Sequence, residues 1–157
     1  MVENTSSSIT IEAAPAEVMG VIADFARYPD WTGEVKEAEV LGTGPHGRAD
    51  KVRLVLDAGA IKDEHTLAYE WDGNREVRWS LVRSQMLRSL DGVYSLAPLA
   101  GGARTKVTYR LTVDVKIPML GMIKRKAEKV IIDRALDGLK RRVESRSAGA
   151  PGGGAVG

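Results

Sequence analysis

Residues 90–99 read LDGVYSLAPL and residues 106–115 read KVTYRLTVDV, and apolar or aromatic side chains recur at alternate positions of both segments. A period of two is typical of a β-strand that buries one of its faces. The sequence Ala-Gly-Gly at 100–102 separates the two segments, and so short a connection favours antiparallel pairing. We therefore predict that the two segments are neighbouring antiparallel strands.

The same period of two covers most of the chain between residues 34 and 116. Turn signals rich in Gly, Asp and Asn divide this region into about six successive strands, and residues 8–12 add one more. From residue 118 to about residue 145 the apolar side chains recur at helical spacing, which predicts one long amphipathic helix. The predicted fold class is α+β: a helix-grip fold, in which a curved antiparallel sheet of about seven strands surrounds a long C-terminal helix.

The composition predicts one domain over residues 1–146, followed by a disordered Gly-rich tail over residues 147–157. The net charge is only +2, and no apolar run is long enough to cross a bilayer. The first residues lack the pattern of a secretory signal, and the chain has no cysteine for a disulfide or a thiolate metal site. We therefore expect a cytoplasmic protein without a membrane span.

Three segments carry a resemblance to a known family: IEAAPAEVMGVIADFARYPDW at residues 11–31, LDGVYSLAPL at residues 90–99, and the long terminal helix. They resemble the START/SRPBCC superfamily, in particular its polyketide cyclase/dehydrase and coenzyme-Q-binding-like branch. The resemblance implies binding or carriage of a hydrophobic small molecule, such as a lipid, a quinone or a polyketide-like aromatic, in an internal cavity. It leaves open a polyketide cyclase or aromatase/dehydratase activity and, more weakly, a role as a ribosome- or protein-interaction module.

Alternation along the strands indicates which side chains face the concave side of the sheet. Aromatic rings and flexible methionines there suit a flat or lipid-like ligand, although they serve equally well to fill a core. The candidates for ligand contact are Leu54, Leu67, Tyr69, Trp71, Trp79, Leu81, Arg83, Met86, Arg88, Leu90, Tyr94, Tyr109, Met119, Met122, Ile123 and Ala127.

Two pairs of side chains are candidates for chemistry. Arg88 shares the alternation of Tyr94, and the resemblance to aromatase/cyclase members implies an inward arginine that polarises a ketone. His65 shares the alternation of Asp63, and a partnered His–Asp pair can transfer protons. If Arg88 is buried, it needs a partner, either Asp63 or an oxygen atom of the ligand. The alternative for both pairs is a position at the strand ends, where the side chains reach solvent without a catalytic role.

We expect no metal and no cofactor, because the two histidines, His46 and His65, are not at ligand spacing and no Gly-rich phosphate loop follows a strand. The expected partner is a hydrophobic small-molecule ligand, and nucleic acid is not expected. Basic clusters at residues 124–126 and 140–142 indicate a solvated helix face or a transient contact with a membrane surface. Either a monomer or a homodimer is compatible with the sequence.

Overall fold

The computed structural model of the chain describes residues 5–59 and 61–156, and the side chains of residues 5–59 and 61–146. One antiparallel sheet contains β1 (Thr5–Ile11), β2 (Val35–Thr43), β3 (Ala49–Asp57), β4 (Lys62–Asp72), β5 (Glu76–Ser84), β6 (Leu87–Leu99) and β7 (Arg104–Val115). The strands lie in the order β1-β7-β6-β5-β4-β3-β2, so those from β2 to β7 each pair with their neighbours in sequence. The predicted α+β fold with seven antiparallel strands is confirmed.

Three helices accompany the sheet: α1 (Pro15–Ile22), α2 (Tyr28–Trp31) and the long C-terminal helix α3 (Gly121–Val156). A 3-10 turn at Phe25–Arg27 leads into α2, and a second at Ala100–Gly102 joins β6 to β7. Pro15 begins α1, where its missing N–H costs no helical hydrogen bond. The described side chains of α3 end at Arg146, and the prediction of a disordered tail over residues 147–157 stays a prediction.

The two faces of the sheet differ as the alternation predicted. On the outer face, Arg53 of β3 forms ion pairs with three surrounding glutamates, Glu37, Glu39 and Glu64. The inner face is apolar and covered by α3, which packs against β1, β7, α1 and α2. Because α3 lies over the β1–β7 edge, part of the inner face of the central strands is left for a cavity. The buried stripe of α3 consists of Ala127, Ile131, Ile132, Ala135, Leu136, Leu139 and Val143.

A buried carboxylate fixes the first half of α3 to the sheet edge. Glu128 is fully buried, and it accepts hydrogen bonds from the Thr5 hydroxyl at 2.6 Å and the Val113 amide at 2.8 Å. Lys124, one turn earlier, places its ammonium group 3.4 Å from the same carboxylate. A buried charge is tolerated only when it is paired in this way, so these contacts determine where α3 lies along β7.

A β-bulge in β6 changes the alternation on which one sequence prediction depended. The pairs Leu87–Val115 and Ser89–Asp114 enclose one extra residue, Arg88. Its side chain is 64% exposed and lies 3.5 Å from Asp114 on the outer face. The prediction that Arg88 faces inward beside Tyr94 was wrong, because a bulge shifts side chains between the faces of a strand.

A second irregularity affects β5. Thr66 pairs with Arg83 and Leu67 pairs with Leu81, which leaves Val82 as the extra residue. Arg83 is exposed, so the prediction that it faces inward was also wrong. Both errors have one cause. Assigning every second residue to the inner face fails at a bulge, because the extra residue there interrupts the alternation.

Candidate functional site

A cavity lies between the inner face of the sheet, α2 and α3. The space that the centre of a water molecule can occupy in it is about 60 Å³. A single water needs roughly 10–15 Å³ on this measure, whereas sites for drug-sized ligands have roughly 300–1,000 Å³. A larger ligand therefore requires the walls to move apart. Of the residues predicted to contact ligand, the structure places seven on the walls: Leu54, Leu67, Tyr69, Trp79, Leu90, Tyr94 and Tyr109.

Four aromatic rings form one wall of this cavity. The ring of Trp79 lies with its centroid 5.6 Å from Tyr69, 5.3 Å from Tyr94 and 5.6 Å from Tyr109. Rings at these separations attract one another beyond the gain from burial alone. Burial raises the pKa of Tyr69, Tyr94 and Tyr109, so their hydroxyl groups stay protonated and uncharged. The wall is thus aromatic, with neutral polar groups only.

His65 lines the same cavity, and the structure brings it together with Asp63 as the sequence predicted. The Nδ1 atom of His65 lies 3.2 Å from Oδ2 of Asp63, and both side chains are at most 5% exposed. The Ser84 hydroxyl donates to the same Asp63 oxygen and accepts the amide of Leu87 at 2.8 Å. Because the carboxylate accepts hydrogen bonds, Nδ1 carries the proton and Nε2 is the basic nitrogen.

Burial lowers the pKa of His65, and the neighbouring Asp63 opposes part of that decrease. The imidazole is consequently neutral over the physiological pH range. Asp63, His65 and Ser84 also line an open groove on the outer side of the sheet. His65 therefore lies between the cavity and this groove, although its side chain is only 2% exposed.

Sequence reasoning missed the end of the cavity that is built by α2, the start of β2 and the middle of α3. The signal was present in the segment YPDW at residues 28–31, which contributed only to the family resemblance. The wall residues that were not predicted are Tyr28, Trp31, Thr32, Glu34, Val35, Leu56, Leu111, Ile131 and Ala135.

Two polar atoms at this end have no hydrogen-bond partner among the described residues: Nε1 of Trp31 and Oε1 of Glu34. Trp31 is 7% exposed and Glu34 is 8% exposed. The other carboxylate oxygen of Glu34 lies 3.5 Å from the guanidinium group of Arg134, which is itself largely exposed. The cavity therefore has a polar end, although it is not the one that Arg88 was expected to supply.

Several other predicted contacts lie elsewhere. Met122 and Ile123 are exposed on the first turn of α3 and do not line the cavity, so their contact with a ligand stays a prediction. The prediction for Trp71 was wrong: its Nε1 donates to the Ala49 carbonyl at 2.7 Å, beside Arg48 and outside the cavity walls. The remaining candidates follow the alternative to ligand contact and pack in or against the hydrophobic core: Leu81, Met86, Met119 and Ala127.

A family model described as "Polyketide cyclase / dehydrase and lipid transport" matches residues 3–144. The chain belongs to this family. No curated protein sequence matches the chain. The predicted membership of the START/SRPBCC superfamily is thereby confirmed together with the fold.

Solved structures show how widely the fold of this family is shared. A START superfamily protein from Mycobacterium smegmatis is 23% identical with a TM-score of 0.82, covering 90% of this chain and 97% of that one. A protein from Thermus thermophilus is 21% identical with a TM-score of 0.78, covering 92% of this chain and 99% of that one. The Zhui aromatase/cyclase from Streptomyces is 16% identical with a TM-score of 0.76, covering 94% of this chain and 96% of that one. At these identities the likeness concerns the fold alone.

The glycine in the family-like segment LDGVYSLAPL has a structural explanation. Gly92 of β6 pairs with Trp79 of β5, and the indole ring lies flat against it. A Cβ atom at Gly92 would overlap the ring, so glycine is the residue that lets Trp79 take its place in the cavity wall.

Within residues 5–59 and 61–156, no three His, Asp or Glu side chains come together in a way that could hold a metal ion. Of the helices described, none is both long and apolar enough to cross a membrane.

Proposed function

We propose that this protein binds or carries a hydrophobic small molecule, of the lipid, quinone or polyketide-like aromatic kind, in the cavity between the sheet and α3. The observation that supports it is the enclosed wall of aromatic and aliphatic side chains around Trp79, with few polar groups. Apolar walls with a small number of placed polar groups are the usual form of a small-molecule site. The family description, which includes lipid transport, agrees with this proposal.

Filling the cavity tests the proposal. Ala135 of α3 lines the cavity and is buried, so Ala135→Leu puts three additional carbon atoms into the space. We expect the neutral fluorescent probe N-phenyl-1-naphthylamine to bind the parent protein and to bind this variant at least tenfold more weakly. Ala16→Leu, on the exposed side of α1, is the matched control and should bind as the parent does. A folded Ala135→Leu variant with the parent affinity would contradict an internal site.

The natural ligand can be identified directly. We expect native mass spectrometry of the protein, purified from its own host, to show a bound mass that organic extraction removes. The Ala135→Leu variant, purified in the same way, should carry less of it. From the sequence we also propose that the protein binds its ligand in the cytoplasm, as a monomer or a homodimer.

A polyketide cyclase or dehydratase activity is the second candidate, and the His65–Asp63 pair supports it. A neutral imidazole whose Nδ1 proton is held by a carboxylate has a basic Nε2. Such a base can remove a proton from the carbon next to a ketone, which is the first step of an intramolecular aldol closure. Two of the similar structures are described as aromatase/cyclases, although that description is theirs alone.

Deuterium exchange into a bound ketone tests this second candidate without the natural substrate. We expect the protein in D2O to accelerate exchange at the carbon next to the carbonyl of phenylacetone, and His65→Gln to abolish the acceleration. The control is His46→Gln, because His46 is exposed and lies outside the cavity walls. Equal exchange by both variants would exclude His65 as the base and leave the binding function as it stands.

We also propose a transient contact with a membrane surface at the start of α3. Ile117, Leu120 and Met122 are each about 70% exposed, far more than most apolar side chains of the protein. Ile117 and Leu120 precede α3, and the exposed cations Arg125 and Lys126 follow within its first turns. Apolar side chains beside basic ones are typical of a surface that binds anionic lipid reversibly.

A further inference from the structure

The two unpartnered polar atoms at the α2 end of the cavity form a complementary set. The indole Nε1 of Trp31 can only donate a hydrogen bond, and a carboxylate oxygen such as Oε1 of Glu34 can only accept one. Both atoms are buried, and neither has a partner among the described residues. The great majority of buried polar groups in proteins are paired, because an unpaired one loses its hydration without compensation. An unpaired donor and an unpaired acceptor on one cavity wall therefore call for an explanation.

Both residues are held firmly by groups other than the unpaired atoms. The backbone of Trp31 lies directly against Gly138 of α3, and its ring packs on Tyr28 with centroids 4.8 Å apart. The Glu34 carbonyl accepts the Asp57 amide at 2.7 Å, which ties the start of β2 to the end of β3. The two side chains are thus positioned by the fold, while one polar atom of each is left without a partner.

We propose that Trp31 and Glu34 form the polar subsite of the ligand cavity, and that this subsite takes the hydroxyl group of a hydrophobic alcohol or phenol. A hydroxyl group can accept a hydrogen bond from an indole N–H and donate its own proton to a carboxylate oxygen, so it has the chemistry that both atoms lack. The proposal rests on the proposed binding function and adds the chemical class of the ligand. Because neither atom is reached by solvent, the ligand meets them as the walls move apart.

The Glu34 carboxylate disfavours a ligand that carries a carboxylate of its own. An anionic head group would lie against the Glu34 carboxylate, and like charges repel strongly in a site shielded from water. Arg134 compensates weakly, because its guanidinium is 3.5 Å from the far oxygen and its side chain is 67% exposed. The subsite therefore selects a neutral alcohol over the free acid of the same skeleton.

Three ligands with the same ring system test this selectivity: naphthalene, 2-naphthol and 2-naphthoate, measured by isothermal titration calorimetry at pH 7. We expect the parent protein to bind 2-naphthol about 10- to 150-fold more tightly than naphthalene, the range expected for a charge-assisted hydrogen bond. Binding of 2-naphthoate should be weaker than that of 2-naphthol by at least as much. Glu34→Gln should reduce the preference for naphthol over naphthalene and improve naphthoate binding. Trp31→Phe should reduce the naphthol preference while naphthalene binding is retained.

The matched control for the acidic residue is Glu37→Gln, which changes the same chemical group on β2 at the outer face. It should leave all three affinities unchanged, and melting temperatures establish that each variant is folded. Tighter binding of 2-naphthoate than of 2-naphthol, or three similar affinities that Glu34→Gln does not alter, would overturn the subsite while leaving the binding function in place. If the parent binds none of the three ligands and no neutral probe, the proposed binding function itself fails. Should the variants change stability but not the order of the ligands, the two atoms pair with internal water and the subsite is refuted.

Discussion

Replacing Gly138 with alanine tests the contact between α3 and α2 that positions Trp31. Inside a helix, alanine is normally favoured over glycine by about 1 kcal/mol. A Cβ atom at Gly138 would overlap the carbonyl oxygen of Trp31 and lie 2.9 Å from its carbonyl carbon. Both are backbone atoms, which cannot rotate away as a side chain does. Overpacking costs about 1–3 kcal/mol, and so direct an overlap belongs at the upper end. Subtracting the gain in helix propensity leaves a loss of about 2 kcal/mol in the free energy of unfolding.

The assay is thermal unfolding followed by calorimetry. For a chain of this size, about 1 kcal/mol corresponds to roughly 2–4 °C, so Gly138→Ala should lower the melting temperature by about 4–8 °C. The control is Gly20→Ala in α1, where an added Cβ meets nothing within 4 Å and the helix propensity alone should raise the melting temperature. The two glycine-to-alanine changes are thus expected to have opposite signs. A Gly138→Ala variant as stable as the parent or more so would show that α3 does not approach Trp31 this closely.

Three further predictions concern other parts of the molecule. Gly92→Ala should cost less stability than Gly138→Ala, because the overlapping group is a side-chain ring, that of Trp79, and not backbone. It should change the near-ultraviolet circular dichroism, because that ring must shift, and an unaltered spectrum would contradict the contact. Burial lowers the pKa of His65 in the folded protein below the ordinary value of about 6.5. Between these two pKa values the unfolded chain binds more protons than the folded protein does, so the free energy of unfolding falls as the pH decreases through that window. His65→Gln should make the fall shallower, and a melting-temperature profile with the parent slope would disprove it. Replacing Leu120 and Met122 with serine should reduce co-sedimentation with phosphatidylglycerol vesicles, whereas vesicles of phosphatidylcholine should bind little of either protein. Equal binding of parent and variant to phosphatidylglycerol vesicles would exclude the start of α3 as the membrane contact.

The sheet and the long helix were predictable because their signals are local and repeated. A period of two recurs over strand after strand, and residues such as Leu54, Tyr69 and Tyr94 then point inward by geometry alone. The pairing of His65 with Asp63 followed in the same way, since residues two apart on a strand share a face. The family segments contributed the superfamily and the expectation of a cavity.

What could not be predicted depends on departures from regularity and on contacts between distant parts of the chain. The extra residue at Arg88 was missed because its direction was counted back from Leu90 and Tyr94. The two leucines of LRSL at residues 87–90 are three positions apart, and the pairing of Leu87 with Val115 shows the bulge between them. The role of Trp31 depends on a different element altogether. Its ring is buried where α3 presents a glycine, Gly138, at the point at which the two backbones meet, and its Nε1 is left without a partner among the described residues. With a larger residue there α3 would lie farther away, so the α2 end of the cavity is a property of the packing of two helices and of neither sequence segment alone.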